Sequence, residues 1–498
     1  MNVNPITRLD YPDPDVIRVE DTYYMVSTTM HFMPGCEILQ SFDLVHWEHV
    51  TYVYETLDHT DAQQLKSGQN IYGQGMWAAS LRYHEGRFYI CFVANDTRKT
   101  YLYTSEKIDG PWKKQLIEGF YHDGSLLFDE DGRNYIVYGN DEIWITELNE
   151  DLTAPKKDGL HRLLVSDHKN PELGYEGSHI QKINGYYYIF LIHSLRDRWM
   201  RTEACFYSDS LEGEFTGGDV LCDDRGYCGQ GVAQGGIVDT PDGKWYAMLF
   251  QDSGAVGRIP ILVPVTWKDH FPVFGQNGHV PEEIEVHSTR PGYIYQPLVG
   301  SDDFCNGLLP RWQFNHDPDP RYYHLDALQG TYTITTREVC TELTQAVNTL
   351  TQRMSYPSCA AEVTVDASAL KEGDVAGLCA LQSCYAAVGI TKHHGKYEVL
   401  MLDKKEDGIL DMTERTVVES HQMDFRLEAD FCNMKDEARC YYRVNKGDWL
   451  PIGTVHKLYF KLDHFTGCRF GLFCYAAEET GGSACFRDFK YYDVDEIS

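Results

Sequence analysis

The chain has 498 residues, 43% hydrophobic and 24% charged. That composition is globular, excludes a disordered protein, and is too long for one ordinary core. A net charge of -31 excludes the cationic surface that nucleic acid or an anionic membrane requires, and no apolar run approaches the roughly 20 residues that span a bilayer.

The first residues, Met1 to Arg8, hold no apolar signal-peptide region. The fifteen cysteines are odd in number, and the nearest pair, Cys379 and Cys384, has no zinc-ribbon counterpart. Reduced thiols in a cytoplasmic protein are therefore expected.

From Asp13 onward the chain repeats. Trp77 precedes Gly86 by nine residues and Tyr89 by twelve. Asp123 stands in the same relation to Gly132 and Tyr135, Glu176 to Gly185 and Tyr188, and Gln234 to Gly243 and Tyr246. Asp13 leads the first copy, with Asp21-Thr22 in place of the glycine turn and Tyr24 eleven residues on. Each copy predicts a strand from the leading residue, a tight turn, and an aromatic return strand such as Tyr186-Tyr187-Tyr188-Ile189. The steps of 64, 46, 53 and 58 residues are those of a radially repeated β unit, which predicts a five-bladed propeller over residues 1–298.

The pattern fades near residue 270 into turn-rich chain such as Arg290-Pro291-Gly292. From Ser301 to Ser498 short alternating strands predominate, among them Ala361–Val365 and Leu458–Leu462, and long helical periodicity is absent. A β-sandwich over 301–498 completes an all-β expectation.

Equivalent residues of a radial repeat meet around its axis, so Asp13, Asp123 and Glu176 are expected to converge. Converging carboxyls suit glycoside hydrolysis, in which one acid protonates the departing oxygen and another activates water or attacks the sugar. The third can tune its neighbour by like-charge repulsion. Walker A, HExxH and GxSxG motifs are absent.

Tyr11-Pro12-Asp13-Pro14-Asp15-Val16-Ile17-Arg18 resembles the opening motif of glycoside hydrolase family 43. Met76–Ser80, His122–Leu126, Tyr175–Ile180 and Gly257–Pro260 match further family stretches in order. The region after Ser301 resembles the concanavalin-like sandwich of its xylosidase and arabinofuranosidase members. The resemblance implies an inverting five-bladed propeller with Asp13 as general base, Glu176 as general acid, and Asp123 as the residue that orients the acid and raises its pKa. It also implies substrate contacts from Phe32, Trp77, Gln234 and Arg258. Gly124 departs from the family's proline. Gln234 departs from the histidine that often reaches a channel ion, so a structural calcium is a weaker implication and no residue is assigned as its ligand. No cofactor is required for the chemistry.

The expected function is exo-release of terminal pentose from arabinoxylan oligosaccharides, first as an α-L-arabinofuranosidase and alternatively as a β-xylosidase. A non-catalytic sugar-binding propeller and a retaining fructan-cleaving propeller are more distant alternatives. The partner is a small oligosaccharide, and self-association is left open. The sandwich is expected to be structural or to shape the pocket.

Overall fold

The computed structural model describes residues 2–461 and 464–493. Five four-stranded antiparallel sheets are present among them. Blade 1 comprises Asp15–Val19, Thr22–Val26, Gly35–Ser41 and Glu48–Tyr54. Blade 2 runs from Met76–His84 to Lys113–Ile117, blade 3 from Ser125–Phe128 to His161–Ser166, and blade 4 from Glu176–Ile183 to Thr216–Leu221. Blade 5 runs from Ile237–Asp239 to Phe271–Phe274. In every blade the first strand is innermost.

An innermost strand is a sheet edge, so its outward amides and carbonyls need partners from elsewhere. Side chains supply them across all five seams. Asp15 accepts from the Leu81 amide (2.7 Å), Ser80 from Leu126 (3.2 Å) and Ser125 from Ile180 (3.0 Å). Gln181 donates to the Ile237 carbonyl (2.7 Å), and Arg18 closes the ring on the carbonyl and carboxylate of Asp239. Small hydroxyls at Ser80 and Ser125 suit this crowded axis.

The turns are less uniform than the sequence suggests. Glu85-Gly86 and Asn184-Gly185 each form two-residue loops with both residues left-handed. The loops holding Gly132 and Gly243 are five residues long, between Phe128 and Asn134 and between Asp239 and Trp245. Blades 2 and 4 also carry an extra residue, in register shifts between Trp77 and Ser80 and between Glu176 and His179. Structural equivalence is marked by one left-handed residue per blade: Asp13 (φ 52°), Ala78 (36°), Asp123 (48°), Gly177 (64°) and Gln234 (62°). Trp77 and Glu176 therefore stand one residue ahead of the register that aligned them with Asp13, Asp123 and Gln234.

The C-terminal half is a sandwich of a seven-stranded and an eight-stranded sheet. Its core includes Trp312, Phe425, Leu427, Phe470, Leu472 and Phe486. The predicted strand Ala361–Val365 lies inside Ser358–Asp366. The strand expected at Leu458–Leu462 ends at Lys457 instead, and Leu462 lies outside the described residues.

The eighth strand of the larger sheet is Phe32–Met33, donated by propeller blade 1, which pairs with Phe314 and Asn315. Buried Asp10 fastens the same seam, accepting from the Arg258 amide (2.7 Å) and the Gly467 amide (2.8 Å). Arg353 donates to the Asp10 carbonyl (2.9 Å) and pairs with Glu37 (2.9 Å). The two domains thus share a sheet and a buried polar network at the edge of the propeller axis.

Candidate active site

At one end of the axis lies a cavity of about 190 Å³, lined by residues that include Asp13, Trp77, Asp123, Glu176, Gln234 and Arg258. Six of the seven residues read from the sequence as site residues meet here. The larger cavity, about 420 Å³, is at the far end of the axis and contains none of the seven. The smaller one holds the converging carboxyls that hydrolytic chemistry needs.

Asp13 is buried, and both its oxygens are engaged. Thr28 Oγ1 donates to Oδ2 (2.5 Å) and Arg258 donates to Oδ1 (2.6 Å). Thr28 in turn accepts from the Ala78 amide (2.8 Å), which ties the Asp13 turn to blade 2. Asp tolerates the left-handed backbone that this position imposes.

Asp123 Oδ2 accepts from the Gly177 amide (2.9 Å), the peptide immediately after Glu176. It therefore orients Glu176 through the backbone. Gly177 is required twice over: its φ is left-handed, and a Cβ would fall 2.7 Å from the Gln234 side chain. Gln234 is itself fixed by its amide, which donates to buried Glu203 (2.7 Å). Glu176 keeps 20% of its side chain exposed, as suits a group that faces a departing sugar, and accepts from Asn140 (2.7 Å).

Sequence reasoning misses His122 as a site residue, although it stands in the motif with Asp123. Its Nε2 lies 3.5 Å from both Asp123 Oδ2 and Glu176 Oε2. The charges of the three residues act on one another. Burial pushes Asp123 up to about 6, helped by the charges of Glu176 and Asp13 and opposed by His122. Burial also acts to raise Glu176, but the His122 hydrogen bond and charge outweigh it and hold it below the ordinary value. His122 is pushed up to about 9, because the Asp123 and Glu176 charges overcome its burial. The expected direction is thus reversed in the free site: Asp123 is the raised carboxyl, and an imidazolium holds Glu176 down. The trio could also be grouped as metal ligands.

Arg258 and Arg201 flank the acids on one wall. Both pair with Asp252, at 3.2 and 2.9 Å. Phe465, from the sandwich, packs its ring 3.9 Å from the Arg258 guanidinium and 5.1 Å from Trp77. Trp199 and Leu173 complete the lining. Arg201 and Trp199 lie outside the repeat register, and Phe465 is remote in sequence, so no local signal marks them.

Phe32 does not reach this wall. It is 1% exposed, its ring lies 3.5 Å from the Arg469 guanidinium, and its backbone is held in the shared sheet. That pairing draws the loop into the domain seam, and Phe465 supplies the aromatic wall expected from Phe32.

The channel calcium fits poorly. Beneath the acids a cavity of only about 10 Å³ remains, lined by residues that include Asp13, Asp123, His179 and Gln234, and further along the Arg82 guanidinium is bound to Asp15 (2.8 Å), with His179 on the other Asp15 oxygen (3.1 Å). A fixed positive charge opposes a second cation beside it.

A family model for glycosyl hydrolases family 43 matches residues 3–272, and one for the beta-xylosidase C-terminal concanavalin A-like domain matches 301–492. The chain is 27% identical to a beta-xylosidase of Formosa agariphila, over 99% of this chain and 89% of that protein. It is 24% identical to a non-reducing end alpha-L-arabinofuranosidase of Bacteroides ovatus, over 82% and 79% of the respective chains. A solved bifunctional GH43-CE protein of Bacteroides eggerthii is 42% identical with a TM-score of 0.91; all of this chain aligns, and it spans 64% of that protein. A solved GH43 hydrolase engineered for endo-xylanase and exo-arabinofuranosidase activity is 27% identical with a TM-score of 0.88, covering 99% of each chain. The first family model spans more than half of the sequence and includes every acid at the propeller mouth, so the chain belongs to glycosyl hydrolase family 43 and is a glycoside hydrolase.

Proposed function

We propose that the enzyme is an inverting exo-glycosidase that removes a terminal α-L-arabinofuranose from arabinoxylan oligosaccharides. One observation carries the choice: a small cavity stands beside a wide groove. The catalytic cavity, about 190 Å³, is smaller than the roughly 300–1,000 Å³ that drug-sized ligands occupy and suits one sugar ring. Trp199 also lines an adjoining groove of about 510 Å³, which Asp436, Tyr459, Phe460 and Lys461 bound on the sandwich side. A backbone lying in that groove can present a side-chain pentose to the cavity.

In the reaction, Asp13 takes a proton from water as the water attacks the anomeric carbon. Glu176 gives a proton to the glycosidic oxygen, whose bond to that carbon breaks. Inversion requires base and acid to stand roughly 6.5–9.5 Å apart, so that a water fits between them. Asp123 holds Glu176 through Gly177, and the His122 imidazolium stands beside both acids.

His122→Gln tests that influence. Loss of the imidazolium removes the largest of the influences that lower the Glu176 pKa, the charges of Arg201 and Arg258 remaining, so the acid keeps its proton to higher pH. The alkaline limb of the kcat/KM profile is expected to move upward. A downward move would mean that His122 supplies the proton by itself.

The second reading, a β-xylosidase, is supported by the relative of that name that aligns over almost the whole chain. Aryl α-L-arabinofuranoside and aryl β-D-xyloside, assayed in parallel, separate the two. The arabinofuranoside is expected to lead by about tenfold or more in kcat/KM, and a lead for the xyloside would transfer the assignment. Phe460→Ala tests the groove: KM for arabinoxylan oligosaccharides is expected to rise. The small aryl substrate should be unaffected. All fifteen cysteines are free thiols, which supports a reducing, cytoplasmic location.

A further inference from the structure

We propose that Arg82 takes the part of a bound cation on the propeller axis, and that it is a positioning residue for the three acids. Its guanidinium leaves blade 2 and reaches three other blades. It donates to Asp15 Oδ2 of blade 1 (2.8 Å), to the Ser125 hydroxyl (2.7 Å) and Leu126 carbonyl (2.9 Å) of blade 3, and to the Ile180 carbonyl of blade 4 (3.3 Å). It also bonds the Leu81 carbonyl of its own strand (2.6 Å).

Each strand so held carries an acid at its inner end. Asp15 is two residues from Asp13, Ser125 two from Asp123, and Ile180 four from Glu176. One planar group therefore fixes the spacing of base, orienter and acid. The partners it gathers are a carboxylate, a hydroxyl and three carbonyls, all hard oxygen donors of the kind that bind calcium. Arg82 satisfies them with a delocalised charge and several fixed N–H donors, which a lysine cannot reproduce. The far-end cavity, which Arg82 lines, is a route by which an ion could enter if the guanidinium were removed.

The native enzyme is thus expected to work without calcium, and Arg82→Ala to create a calcium site. Titration calorimetry with calcium chloride should show no saturable binding to the wild type, whose kcat should survive chelation. Arg82→Ala should bind one calcium, melt at higher temperature with it, and lose about 100-fold in kcat without it, the scale of a 1 Å displacement of catalytic groups. Calcium should recover part of that loss, with KM changed less than kcat.

Arg82→Lys keeps the charge without the fork and covers the case in which the alanine variant does not fold. It should retain native-like melting with reduced kcat and a shifted pH profile. Stoichiometric calcium bound by the wild type with kcat lost on chelation, or a lysine variant with unchanged kcat and pH profile, would overturn the proposal. Only the kinetic arms rest on the hydrolytic reading of the site; calorimetry and melting stand apart from it.

Discussion

Glu176→Ala is expected to lower kcat/KM on arabinoxylan oligosaccharides by about 10²–10⁴-fold, the usual range for one general acid. An aryl glycoside whose leaving group departs without protonation should recover much of the rate. The side chain is half-buried and its bonds are polar, to Asn140 and His122, so its removal leaves no large apolar void and the melting temperature should change little. The left-handed turn that follows belongs to Gly177 and its bond to Asp123, and both remain in place. A uniform loss across all leaving groups would remove Glu176 from the acid role.

Asp13→Asn is expected to cost a similar factor with a different signature. Deprotonation of the attacking water is needed whatever the leaving group, so an activated aryl glycoside should not restore the rate. Asn is the informative substitution because it tolerates a φ of 52°, whereas alanine adds strain. Arg258 loses its charge partner at Asp13 but keeps Asp252, which preserves the wall of the cavity. Recovery of Asp13→Asn, but not Glu176→Ala, on the activated substrate would exchange the two roles.

These residues are legible in the sequence because a blade is a local unit. Asp13, Asp123, Glu176, Gln234 and Trp77 each precede their own hairpin, and the repeat carries them to one end of the axis. The bulges of blades 2 and 4 are not legible. A single extra residue leaves the spacing to the next turn intact while it moves Trp77 and Glu176 off the left-handed position. Contacts between the halves are also hidden. Phe32 leaves its expected place, and Phe465 lines the cavity, because Phe32–Met33 pairs with Phe314 and Asn315, a choice set by docking rather than by sequence nearby. Arg82 shows a third limit. It reads as an ordinary polar residue in a strand, and its meaning lies in the three other blades that it reaches.

The acid assignment also changes how the site titrates. Like-charge repulsion alone would raise Glu176 beside Asp123. Beside them stands His122, which holds Glu176 below its ordinary value and opposes the burial that raises Asp123, while the two acids raise His122 itself. The imidazole nitrogen lies 3.5 Å from an oxygen of each carboxyl, so its charge favours the ionised form of both acids.

The stereochemistry of the first-formed sugar tests the central claim most directly. Proton NMR of early hydrolysis of an aryl α-L-arabinofuranoside should show the β-anomer of arabinose before mutarotation, the outcome of one displacement by water held at Asp13. First appearance of the α-anomer would mean net retention through a glycosyl-enzyme intermediate, and would contradict Asp13 as general base and Glu176 as general acid of a single displacement.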